Sequence, residues 1–182
     1  MSATKFIVLA GGIIGIIAFF LPLIAVKQPG ITGAISAFQV VKGIDTAKDI
    51  VKGAGDAATD AAVEAGAETA EAKKAVTEVN DGLSTVKNIF LAAFAPALFL
   101  ALIGGFAVMR KQFGRLAGTG ALIFGLLEFG VWALLNAAAN EVAAKGATGD
   151  VKGIGMHLLL VTGLAGVIGG ILGLAKPERK VA

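Results

Sequence analysis

An all-α, four-helix transmembrane bundle with a large, mostly helical first extracytoplasmic loop is the fold that the sequence predicts. Three observations predict it. Hydrophobic residues make up 56% of the 182-residue chain, and the mean hydropathy is +0.83. The apolar residues collect in four long runs, each near the roughly 20 residues that a helix needs to cross a hydrocarbon core of about 30 Å. Lysine and arginine cluster at alternate junctions between those runs, as they do where cytoplasmic segments hold a chain in a membrane.

Residues 1–5 form a short head whose one charge is Lys5. Residues 6–26, FIVLAGGIIGIIAFFLPLIAV, are the first crossing. A signal peptide is the rival reading, but the apolar run is long for one and no A-x-A site follows. Pro22 lies in its last turns, and Pro29-Gly30 ends the element.

Residues 27–87 form the large loop, with seven lysines against nine acids. Its first part, GITGAISAFQVVKGI, is glycine-punctuated and partly β-branched, which fits a short strand or hairpin at the membrane surface. From Ile44 to Val79 the text is alanine-rich, charged and proline-free, so helix propensity is high. Ile44, Ala47, Val51, Ala54, Ala58, Ala61 and Ala65 recur at spacings of three and four; Ala72, Val76, Val79, Leu83 and Val86 resume the stripe after a slip. Gly53 and Gly55 are the expected break, with Asp56 capping the second half. A rod and a folded hairpin both fit this pattern, as does a solvated charged spacer.

Residues 88–109 are the second crossing, with Pro96 inside it as a kink or a packed, locally wetter site. Residues 110–115, RKQFGR, carry Arg110, Lys111 and Arg115 with no acid, which assigns this turn to the cytoplasm. The third crossing is 116–138, a charge-balanced outer loop spans 139–153, the fourth crossing is 154–175, and 176–182 is a basic tail. Both termini are then cytoplasmic and loop 27–87 is periplasmic or extracellular, in a cytoplasmic (inner) membrane of bacterial type.

Lipid is as apolar as leucine, so helices in it associate through close contact and hydrogen bonds. The third crossing presents Gly114, Gly118, Ala121, Gly125, Glu128 and Trp132 at alternating four and three; the fourth presents Gly155, Leu159, Thr162, Gly166, Gly169 and Gly173. Gly11 and Gly15 serve the first crossing, and Gly104 and Gly105 the second. Phe19, Phe20, Phe90, Phe94, Phe129 and Trp132 fall mainly in the outer halves, which predicts a bundle tight at the cytoplasmic end and wider outside.

Glu128 is the one ionisable side chain deep in a crossing, where an acid costs on the order of 2.5–3.5 kcal/mol on insertion scales. Counted from the cytoplasmic ends, Thr162 lies at about the same depth on the facing seam and is its candidate partner. Two roles stand open: a structural polar clamp, and a proton or cation site. His157, the only histidine, reads as an interfacial residue, and Asn136 and Asn140 as caps or headgroup contacts.

With no cysteine, disulfides, thiol catalysis and thiolate metal sites are excluded. No Walker, Rossmann, zincin or Ser/His/Asp pattern is present. We therefore expect no enzyme activity, cofactor or metal. The expected partners are the lipid bilayer and either further copies of the chain or other membrane proteins, with no nucleic acid. The leading function is a scaffold or accessory protein that associates laterally. A small channel or transporter using Glu128 is the alternative, and a non-catalytic subunit of a respiratory or other membrane enzyme complex is a third reading.

The layout resembles the tetraspan, claudin-like membrane proteins: four helices, cytoplasmic ends, a large first outer loop and a small second one. The stretch FFLPLIAVKQPGITGAISAFQVVKG, residues 19–43, is also similar to the exit of the first helix in small bacterial four-helix proteins. Loop 27–87 lacks the paired tryptophans and cysteines of the claudin signature, so no binding residue carries over. The resemblance implies lateral self-association or service to a larger membrane assembly.

Overall fold

A computed structural model describes residues 3–28, 31–64, 70–110, 112–144 and 151–177. The elements run α1 (Thr4–Phe20), β1 (Pro22–Gln28), β2 (Ile31–Ser36), α2 (Ala37–Glu64), α3 (Ala70–Met109), α4 (Arg115–Ala144) and α5 (Ile154–Ala175). Pro29 and Gly30, Ala65, Glu68, Lys111, Lys145, Asp150, Glu178, Arg179 and Lys180 lie outside the described residues. Three helices are long and apolar enough to cross a membrane: Lys73–Met109, Arg115–Glu141 and Ile154–Ala175. α1 is apolar but shorter, at 17 residues.

The apolar run 6–26 is not one helix, contrary to the sequence expectation. α1 stops at Phe20, and Leu21 is already extended at φ −89° and ψ 155°. Pro22 is the cause. It has no N–H to donate, its ring clashes with the carbonyl four residues back, and it drives the preceding residue out of the helical region. The residues after it form β1, which pairs antiparallel with β2 from Gln28↔Ile31 to Pro22↔Ser36, with an irregularity between Pro22 and Ile24. The first part of the large loop is therefore a strand, but its partner comes from the text read as helix. Residues 151–153 add to the opposite edge of β1: Ala25 N–H donates to the Val151 carbonyl at 3.0 Å, and Gly153 N–H to the Leu23 carbonyl at 2.9 Å. A small sheet thus stands beside the helices of a fold expected to be all-α.

The chain divides into two compact units, residues 1–37 with 92–182, and residues 38–91. The smaller unit holds α2 and the first part of α3. These two arms form an antiparallel hairpin. Val51, Ala54, Gly55 and Ala58 of α2 line one groove with Ala75, Val76 and Val79 of α3. At the other end of the arms Lys87 Nζ meets Asp45 Oδ1 at 2.6 Å. Both side chains are part-exposed, so this pair contributes at most about 1 kcal/mol. Val79, at that groove, and Val86 of the expected stripe both remain exposed.

α2 does not break at Gly53 and Gly55, and Asp56 is mid-helix rather than a cap. A glycine inside an exposed helix costs only about 1 kcal/mol relative to alanine, and the alanine-rich text around it absorbs that. Gly55 is buried and serves the contact between arms: a Cβ there would lie 2.5 Å from Val76 Cγ2. Gly53 is exposed with nothing within 4 Å. Gly53→Ala should therefore raise the melting temperature of the hairpin, by a gain of about 0.5–1 kcal/mol. Gly55→Ala should not, and thermal unfolding of the two variants compares them.

In the larger unit α1, the second part of α3, α4 and α5 pack on one another through backbone-to-backbone approaches. A Cβ on Gly12 would overlap the Ala101 backbone, and one on Gly104 the Leu9 backbone. Gly11 meets Ala165, while Gly125 and Gly170 meet the backbones of Val167 and Leu122. Phe99 and Phe124 stack at 4.7 Å between α3 and α4. Close approach extends to the strand end as well, where Gly155 would place a Cβ 2.9 Å from the carbonyl oxygens of Leu21 and Pro22. Phe19 and Phe94 meet edge to face at that end, at 5.1 Å.

The outward surface of these helices is apolar. Ile13, Ile17 and Phe20 of α1, Leu98 and Phe106 of α3, Ile123 and Leu134 of α4, and Ile168 and Ile171 of α5 are all exposed. The helix contacts are lined by glycine and alanine, and among the described residues the buried polar side chains of this unit are Thr4, Lys5, Ser36, Glu128 and Thr162.

Candidate functional site

The four helices of the larger unit meet at one level. Gly15 of α1 faces Ala97 of α3 and Thr162 of α5; a Cβ on it would lie 2.5 Å from Ala97 Cβ and 2.8 Å from Thr162 Cγ2. Gly163, next to Thr162, approaches Phe129 of α4, with its Cβ position 2.9 Å from the Phe129 nitrogen. Phe129 follows Glu128, so the acid and the threonine share this level. The local sequence explains the approach: wherever two helices must touch here, one of them offers glycine or alanine.

Glu128 and Thr162 are both at 0% exposure. The Thr162 hydroxyl donates to the Leu158 carbonyl of its own helix at 2.9 Å. The Ala97 backbone lies beside the Glu128 carboxyl without meeting hydrogen-bond geometry. Among the described residues neither Oε1 nor Oε2 of Glu128 has a hydrogen-bond partner. The structure therefore brings Glu128 and Thr162 to one level without a hydrogen bond between them. One residue before Ala97 is Pro96, buried within an uninterrupted α3. It has no N–H, so the usual helical bond from residue 96 to the Ala92 carbonyl is not made.

The other sequence-predicted residues are distributed along the helix contacts. Gly118 lies against Gly173, Gly125 against Gly166, Gly11 against Ala165, and Gly169 receives Val8. Trp132 is half-buried beside Phe129, with ring centroids 5.3 Å apart. His157 and Asn140 are exposed and Asn136 is half-buried. None of the three stands at the level of Glu128.

Phe113 and Lys5 are among the buried residues that sequence reasoning did not single out. Phe113, in the basic turn, is 1% exposed and packs its ring over Gly173. It clusters with Val8, Leu100, Ala107 and Ala121. As the sole large apolar residue among 110–115 it carried a signal: a phenylalanine in a charged turn needs somewhere to go. Lys5 is 2% exposed at the start of α1, and nothing in its sequence context marks it.

Fold and site together define a helical protein with helices of membrane-spanning length and composition, and with one carboxyl sealed among them. Compared with protein-family models, curated proteins and solved structures, the chain matches none.

Proposed function

We propose that this chain is a four-crossing protein of a bacterial cytoplasmic membrane that works as a non-enzymatic scaffold or accessory subunit. α1, α3, α4 and α5 are the crossings, both termini are cytoplasmic, and the α2–α3 hairpin stands outside. The chain associates laterally, with its own copies or with a larger membrane complex. The tetraspan, claudin-like layout belongs to this reading. The observation that carries it is the inverted distribution of side chains: leucine, isoleucine and phenylalanine outside, glycine and alanine at the contacts. Lipid suits the first, and helix association within lipid uses the second. At about 1.5 Å per residue α1 is about 25 Å long, short of a full hydrocarbon thickness, and local thinning of the bilayer accommodates such a helix.

Because the chain has no cysteine, single replacements give a clean map. Ala70→Cys and Ala144→Cys should react with a membrane-impermeant maleimide on intact cells, and Gln112→Cys only after permeabilisation. Labelling of Ala70→Cys from the cytosolic side alone would overturn the topology. Native mass and particle images after mild detergent extraction then test the role: a closed homo-oligomer or a stable membrane partner supports a scaffold.

A small channel or transporter is the second reading, and the partnerless Glu128 favours it. An axial lumen in the particles, with an ion flux that Glu128→Gln abolishes while assembly persists, would replace the scaffold. Copurifying redox subunits would instead place the chain in a respiratory or other membrane enzyme complex.

A further inference from the structure

We propose that Glu128 is a proton-binding site at the centre of the four packed helices, and that releasing the proton opens the contacts around it. The inference goes beyond the scaffold role and does not depend on lateral association.

Four observations carry it. The first is the sealed carboxyl: no exposure, and no hydrogen-bond partner for either oxygen among the described residues. An ionised carboxylate in such a place costs many kcal/mol unless it is paired, so the site admits the neutral acid. The second is the lack of a counter-charge. Between Phe6 and Phe20 α1 has no charged residue, and Lys5 lies ten residues before Gly15. α3 has none from Asn88 to Met109, and α4 has none but Glu128 from Leu116 to Asn140. α5 has only the exposed His157.

The third observation is room. A single extra carbon on Gly15 or Gly163 would already collide with neighbouring atoms at 2.5 and 2.9 Å. An amine or a metal ion brings several atoms or a ligand shell. A proton needs no added volume, which makes it the ligand this site fits. The fourth is the supply of an acceptor. The Thr162 oxygen on the same level, engaged so far only as a donor, keeps its lone pairs. A neutral acid has a hydrogen to give to such an oxygen. A carboxylate has none.

Ionisation then demands water or a separation of helices. Either one breaks the approaches of Gly15 and Gly163, since close-packed interiors rearrange between discrete states rather than stretching.

The test uses the full chain in liposomes and pH as the probe. In the infrared, the wild type at neutral pH should show a neutral carboxylic acid carbonyl band, shifted in deuterium oxide and absent from Glu128→Gln. The other acids fall at 45–81, 141, 150 and 178, outside the apolar crossings, so they do not supply this band. The only tryptophan, Trp132, sits one turn along α4 and reports on the packing. Its emission should shift to the red as the pH is raised and the acid band is lost, and Glu128→Gln should remove that transition. A wild type without the acid band at neutral pH overturns the site. A fluorescence transition shared by wild type and Glu128→Gln, or acid loss with no change at Trp132, overturns the opening. If Glu128→Gln does not assemble, the wild-type infrared and fluorescence titrations decide by whether the two changes coincide.

Discussion

Replacing Gly125 with leucine will unfold the four-helix unit, at a cost of about 3 kcal/mol or more, the upper range for overfilled packing. A Cβ at Gly125 falls 2.5 Å from the Val167 nitrogen and 2.6 Å from the Gly166 carbonyl carbon. Both are backbone atoms of α5, so no rotamer change clears them. Gly166 meets Gly125 in return, its own Cβ position lying 2.6 Å from the Gly125 Cα. Either α4 and α5 move apart, or the side chain does not fit. Separation forfeits contact along the whole seam, and lipid gives no hydrophobic force to restore it. Gly130→Leu is the control. It lies on the same helix, exposed, with nothing within 4 Å. Unfolding in mild detergent should leave Gly130→Leu as stable as the wild type or slightly more so, and Gly125→Leu far below both.

Phe113→Ala should cost about 3–5 kcal/mol, the range for truncating a buried aromatic ring. The ring is almost fully covered and fills the space left by the missing side chain of Gly173. Its cluster draws Val8 from α1, Leu100 and Ala107 from α3, and Ala121 from α4. The turn from α3 to α4 is therefore fastened to the helix ends by one side chain. Removing it leaves a cavity at the meeting point of several elements, which relaxes poorly. Arg115→Ala, exposed in the same turn, should change stability by less than about 0.5 kcal/mol. Thermal scanning of both variants in one detergent separates loss of packing from loss of charge.

Much of this was legible in the chain because a helix writes its buried face at spacings of three and four. Gly155, Leu159, Thr162, Gly166, Gly169 and Gly173 are such a row, and all six are buried. Gly118, Ala121, Gly125 and Glu128 form the matching row on α4. The level of Glu128 against Thr162 followed from counting residues at 1.5 Å each, but the direction of a hydroxyl does not follow from depth. Thr162 turns to its own helix, as threonines often do inside helices.

What was not legible depended on distant partners. The run PLIAV is as apolar as the helix before it, so hydropathy alone joins the two. Pro22 was in view, but whether the chain resumes as helix or strand is decided by β2 and by residues 151–153. Gly55 read as a break because glycine weakens an isolated helix. The hairpin uses it instead as a place where Val76 comes close, and only the second arm reveals that.

The bridge at 151–153 ties together segments that are far apart in sequence. β1 is bonded by Val151 and Gly153, and the glycine face of α1 is covered by Thr162 and Ala165 of α5. A fragment that stops before residue 151 has none of these partners, and α1 within it should be open to proteolysis. Protection should arrive only with the segment that carries α5.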